Sequence, residues 1–173
     1  MVKAVLELFS ETSPSEFFNL NGIEYFNFEE DFVEKNIRCI PMIVRFKMDK
    51  AGIKLKLAEW SRFSVTERIE LAKKDCSNEN ETKMYNHYLS NLVMNYSGKP
   101  ATTLPIDNNP AWANTNVIPE ILLEKLRRFD WQLSIKQWRE LSNLQRFALL
   151  KLCKEGHENK NFPKAMKEFK LVN

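Results

Sequence analysis

The sequence predicts an all-α fold of about six or seven helices, with two similar helical units, about 40–73 and 118–151, joined by a long helix and a proline-rich loop. Three observations lead there. The 173 residues include only 4 Gly and 7 Pro, which leaves few breaks and favours regular helical segments. The chain matches itself at an offset of 78 residues. The matching segments also carry the same helix-start signals at the same offset, so the expectation does not rest on one local pattern.

The self-match places "IPMIVRFKMDKAGIKLKLAEWSRFSVTERIELAK" (40–73) over "IPEILLEKLRRFDWQLSIKQWRELSNLQRFALLK" (118–151). Ten positions are identical, among them Pro41/Pro119, Lys47/Lys125, Trp60/Trp138, Ser64/Ser142 and Arg68/Arg146, where chance would give about two. In each unit a proline opens the first helix, where its missing N–H costs nothing, giving helices at about 41–51 and 119–129. Short extended links follow, around Ile53–Leu55 and Trp131–Leu133. A short helix then carries the tryptophan. In the second unit "SIKQ" (134–137) is a capping box in which serine and Gln satisfy each other's backbone amides. "SVTE" (64–67) and "SNLQ" (142–145) are capping boxes at matching positions and open helices 65–74 and 143–153.

Between the units, "NENETKMYNHYLSNLVMNYSG" (78–98) reads as one long helix with Met84, Tyr88, Leu92 and Val93 near one stripe and Gly98 past its end. Three prolines make 99–114 a loop. Gly156 stops the helix of the second unit, and 161–169 is a last short helix with Pro163 in its first turn. At the front, 14–20 reads as a helical turn, and 23–32 as an extended or mixed segment with Ile23, Tyr25, Phe26, Phe28 and Phe32 as apolar anchors. A chain of this length fits a single domain, here residues 1–173, with 1–22 a variable extension and 23–173 the domain that contains the duplication.

The net charge of +3 does not point to nucleic acid, and Glu67 and Glu70 would repel phosphates from the helix that a DNA-reading motif would use. The distribution of charge says more. Residues 1–34 hold one cation and eight acids, for −7, and residues 35–173 hold 25 cations and 15 acids, for +10. The acidic segment is expected to lie across the chain's own basic body, or else to serve as a detachable arm. Cys39, Cys76 and Cys153 are too far apart for a disulfide framework or a zinc spacing, which fits a reducing cytoplasm. No signal peptide is read at the N-terminus, and no apolar run approaches the roughly 20 residues that span a bilayer.

Trp60 and Trp138 are expected to be core anchors at helix–helix joints, with Pro41 and Pro119 as the matching structural starts. Helix 143–153 is apolar nearly all round, so Arg146 inside it must be paired with an acid, bonded to helix-end carbonyls, or directed at a partner. Cys153 and His157 in "CKEGHEN", with His87, fall short of a metal set. His157 and Asn159 are expected to tie the helix end to the last segment. Two histidines with no nucleophile elbow give no basis for covalent catalysis, and no Gly-rich phosphate loop exists. No catalytic residue, cofactor or metal is therefore assigned.

Segments 26–60, "NPAWAN" (109–114) and 138–169 resemble the nitrate reductase-associated protein family, most specifically in "RCIPM" (38–42), "LQRFAL" (144–149) and "GHENKNF" (156–162). The resemblance covers about 24–170. It implies a small accessory protein of assimilatory nitrate reduction with nitrate reductase as partner, and it carries no catalytic residues. The expected function is therefore non-catalytic support of the reductase's activity or maturation through protein–protein binding. Arg45, Arg146, His157, Glu158 and Asn161 are the candidate partner contacts. The alternative is a sensor or chaperone that binds a small ligand or metal and is related to molybdenum cofactor or nitrogen status.

Overall fold

The structure, a computed structural model, describes residues 23–29, 39–154 and 156–173, with His157 and Glu158 described by their backbone alone. The helical turn expected at 14–20, the anchor Phe32 and most of the acidic N-terminal segment lie outside the described residues. Among the described residues the first unit comprises α1 (Met42–Ala51), β1 (Ile53–Lys54), α2 (Leu57–Trp60) and α3 (Val65–Lys73). The connection follows with α4 (Glu79–Ser97) and β2 (Thr102–Thr103). The second unit holds α5 (Glu120–Arg127), α6 (Ile135–Glu140) and α7 (Asn143–Cys153), before α8 (Phe162–Glu168). Three 3-10 turns lie at Asn27–Glu29, Ala111–Ala113 and His157–Asn161. The class is all-α. Among the described residues eight α-helices are present, the four-residue α2 included, where about six or seven were expected.

The helix starts follow the sequence signals. Pro41 and Pro119 occupy the positions before α1 and α5, and their carbonyls accept the first amides, from Arg45 (3.0 Å) and from Leu122 and Leu123 (2.9 and 3.2 Å). Ser64 and Ser142 accept the amides of Glu67 (3.2 Å) and Gln145 (3.1 Å), and those side chains reach back to the serine amides (2.7 and 2.8 Å). Ser134 and Gln137 do the same for α6. α1 ends on Gly52 in the left-handed region (φ 69°). A Cβ there would stand 2.8 Å from Ile106 Cγ1 and 3.0 Å from the Leu104 carbonyl, so glycine is needed for space as well as for backbone freedom. The link that follows pairs as β1 with β2, antiparallel, Ile53 opposite Thr103. The corresponding link at 131–132 forms no strand.

Two hydrophobic clusters form the core. Val44, Met48, Trp60, Leu71, Tyr85 and Leu89 belong to the first, and Leu122, Trp138, Phe147, Leu149, Phe162 and Met166 to the second. α1 joins them. Ile43 packs against both, and the Phe46 ring meets Trp112 (4.9 Å) and Phe147 (5.2 Å) edge-on. On α4 the buried face is Tyr85, Leu89, Leu92 and Val93, a stripe at i, i+4, i+7 and i+8. Met84, expected on that stripe, is instead 58% exposed one position off it.

The N-terminal strip has no regular structure over 23–26 and then a 3-10 turn, so the expected extended or mixed segment closes no strand among its described residues. Phe26 and Phe28 stack on one another (5.2 Å) and pack edge-on against Phe169. Glu29 accepts the Met42 amide (2.7 Å), the first amide of α1, which Pro41 has no side-chain oxygen to satisfy. Glu24 accepts a hydrogen bond from the hydroxyl of Ser142 (2.7 Å) at the start of α7. Two acids of the strip therefore sit at helix N-termini, where negative charge is favoured.

Candidate functional site

The two repeated arginines face inward. Arg68 is 8% and Arg146 4% exposed. Arg68 donates to the carbonyls of Trp60 (3.1 Å) and Ser61 (2.9 Å), and its guanidinium lies 5.6 Å from the Trp60 ring centroid. Arg146 donates to the carbonyls of Trp138 (3.3 Å), Leu141 (2.5 Å) and Trp112 (2.7 Å) and to the Asn143 side chain (2.5 Å), with the Trp138 ring at 5.7 Å. Burial lowers both guanidinium pKa values. Each arginine bonds the carbonyl end of the preceding tryptophan helix; the Trp60 carbonyl also accepts the Phe63 amide (3.2 Å), so Arg68 adds a second donor there. Arg146 was a candidate partner contact. Its head is occupied from within the chain, which places it among the fasteners and not on a docking surface.

The repeated lysines do similar work. Lys47 donates to the carbonyls of Ala72 (2.6 Å) and Lys74 (2.7 Å) at the end of α3, and burial lowers its pKa. Lys125, 5% exposed, donates to the Asn159 side-chain oxygen and lies over the Phe162 ring (5.6 Å). Lys47/Lys125 is one of the ten identities of the self-match, which by itself gives the pair no role. Their recurrence at the same offset of 78 residues, within the first helix of each segment, was the available signal.

The "GHENKNF" segment is thus tied to α5 through Asn159, one of the two side chains expected to hold it. Asn161 is 2% exposed, and its side-chain oxygen has no hydrogen-bond partner among the described residues. As a partner contact it is misplaced, since it faces inward. The side chains of His157 and Glu158 lie outside the description. Cys153 is buried and its thiol is pushed up to about 12 by burial, with Lys125 opposing. His87 is exposed on α4 beside Asn91 (3.0 Å). Trp60 and Trp138 are both fully buried, as expected of anchors, and the Trp138 indole donates to the Asn114 carbonyl (2.9 Å). Pro41 is buried and Pro119 half-buried at the helix starts.

Arg45, another of the candidate contacts, borders a surface recess. It lines a cavity of about 630 Å³ together with Met48, Ile53, Leu55 and Lys54. A second cavity, of about 280 Å³, lies beside it and is walled by Trp112, Phe147, Leu150 and Ile121. The two share Asp49, Lys151 and Lys154. Between them runs the Asp49–Lys151 ion pair (2.7 Å), which bridges α1 to α7 and so spans the seam between the units. Lys151 also lies over the Phe147 ring (5.0 Å). Among the described residues no group of three potential metal ligands gathers there or elsewhere, and no helix is long and apolar enough to cross a membrane.

A family model described as conserved nitrate reductase-associated protein matches residues 25–169. The chain belongs to that family. The match starts at Tyr25, just ahead of the Phe26–Phe28 stack, and ends at Phe169, so it takes in both walls of the seam and both hydrophobic clusters except Leu171. No curated protein and no solved structure matches the chain. The seam lysines Lys54, Lys151 and Lys154 were not singled out from the sequence. They are more than 90 residues apart between β1 and α7, and only the crossing of α1 and α7 brings them together.

Proposed function

We propose that this member of the nitrate reductase-associated family is a non-catalytic accessory protein that works in the cytoplasm and supports nitrate reductase through protein–protein binding. The observation that carries the reading is the use made of its buried charge. Arg68, Arg146 and Lys125 are buried and Lys47 is half-buried, and each is spent on a carbonyl or amide oxygen of the chain itself. A catalytic site needs groups held ready for an outside atom. Internal fasteners suit a scaffold whose chemistry is recognition at its surface. The family description supplies the partner class.

The test is affinity isolation from cells grown on nitrate, joined to reductase assays in a deletion strain. Recovery of the reductase with the tagged protein, and lower reductase activity without it, are expected. Absence of contact together with normal activity ends the proposal. A melting-temperature increase with molybdopterin compounds, nitrate or a divalent metal, in the absence of reductase binding, would favour the sensor reading instead.

A further inference from the structure

The seam is basic in a way that the scaffold does not use up. Arg45, Lys50, Lys54, Lys151 and Lys154 border the two cavities, against Asp49 and Asp107. Asp49 is neutralised by Lys151, and the Asp107 side chain accepts the Asn109 amide (2.9 Å) within its own loop. Lys50 donates to the Cys76 carbonyl. Lys54 and Lys154 are exposed, and their side chains make no hydrogen bond or ion pair with the described residues. They are charges without an internal use, on opposite elements, β1 and the end of α7.

Between those charges the floor is apolar. Met48, Ile53 and Leu55 are buried beneath the larger cavity, and Phe147, Leu150 and Trp112 lie beneath the smaller. Leu57 at the edge of the first (52% exposed) and Ile121 at the edge of the second (41%) extend the apolar surface outward. The combined recess is larger than one side chain needs and matches a short length of extended chain. An apolar floor selects side chains that gain from leaving water. A cationic rim selects against basic segments and speeds the approach of acidic ones.

We propose, building on the accessory-protein reading, that the grooves on either side of the Asp49–Lys151 bridge form one docking site for an acidic segment of nitrate reductase that carries apolar anchor residues. The carboxylates pair with Lys54 and Lys154 at the rim, and the anchors enter the two cavities. The Asp49–Lys151 pair stays formed and divides the site into two subsites, so the segment must place anchors on both sides of it.

The experiment compares three full-length proteins for binding to purified nitrate reductase by biolayer interferometry: wild type, Lys54→Glu/Lys154→Glu, and the control Lys83→Glu/Lys136→Glu. The control makes the same change in net charge at exposed positions outside the groove. A benzophenone placed at position 57 reports what lies on the site. All exposed-site variants are expected to melt within about 2 °C of wild type. The groove variant is expected to bind at least about tenfold more weakly, the control within about twofold, with the difference shrinking as salt is raised. Crosslinks are expected in acidic stretches of the reductase.

Tight wild-type binding with the groove variant no weaker than the control overturns this site and leaves the accessory reading standing. Crosslinks to residues 1–38 of the same chain, or to a second copy, overturn the occupant. No reductase binding by wild type removes the accessory reading, and the docking site with it.

Discussion

Residues 40–73 and 118–151 use the same fastener with different loads. In the first unit Arg68 holds two carbonyls, and the link after α1 is secured separately, by β2 and by Ile106 lying against Gly52. In the second unit the link is unpaired, Asp130 takes the left-handed position of Gly52 (φ 54°), and Arg146 makes four hydrogen bonds, one of them to Trp112 in the connecting loop. Where the sheet is missing, the arginine ties in the connection as well as its own helix. Arg68 and Arg146, identical in the sequence self-match, therefore each bond the helix that precedes them, while their further partners differ with what the neighbouring chain supplies.

Tryptophan removal gives the largest effect and tests whether the units are equal at their centres. Trp60→Ala and Trp138→Ala should each cost about 3–5 kcal/mol, read from denaturant unfolding. A cost under about 1 kcal/mol at either site breaks the comparison. Next come the arginines. Arg146→Met should cost about 3 kcal/mol and Arg68→Met about 2, because more buried carbonyls lose their donor in the second unit. Equal costs would mean that the extra bonds of Arg146 contribute nothing.

The left-handed positions should respond with opposite signs. Gly52→Ala should lower stability by about 1–2 kcal/mol, since the new Cβ meets Ile106 and the Leu104 carbonyl in a backbone conformation that L-residues avoid. Asp130→Gly should raise it by about 0.5 kcal/mol, by removing the cost of a side chain in that region. Loss of stability at both sites would show that Asp130 is held by contacts of its own.

The smallest effect separates the capping boxes by pH. Burial alone would raise the Glu67 carboxyl pKa. Hydrogen bonds from the Ser64 amide, the Tyr96 hydroxyl and the Ser64 hydroxyl outweigh it, so the pKa lies below the ordinary 4.5. A carboxyl with a depressed folded pKa adds stability that is complete above its unfolded value and is lost as pH falls through the folded one. The counterpart, Gln145, is neutral at every pH. Melting temperature followed downward from pH 6 should therefore fall less steeply in Glu67→Gln than in wild type. Parallel curves would show that the first cap gives no pH response.

Much of the fold was legible because the signals were local. Serine with Glu or Gln three residues on, proline ahead of an apolar run and glycine at a helix end each act within one turn, and they placed α3 and α7 to within a residue and the start of α6. The stripe on α4 was misread at Met84, because Met84 and Tyr85 are neighbours and periodicity alone does not choose between adjacent positions at the edge of a face. The candidate contacts fared less evenly. Arg146 drew notice as a charge in an apolar helix and Asn161 as part of the polar turn 156–162, and both patterns mark buried residues as readily as docking groups. Lys54 and Lys154 have ordinary surroundings in sequence. Their meaning comes from the crossing of α1 with α7, a non-local fact that no window of the sequence contains.

The most direct test of the account is the affinity of Arg146→Met for nitrate reductase, measured well below the variant's own melting temperature. If the repeated charges are internal fasteners and recognition belongs to the exposed seam, the folded variant binds within about twofold of wild type while melting lower. Unchanged melting with binding abolished would contradict it, and would return Arg146 to the interface.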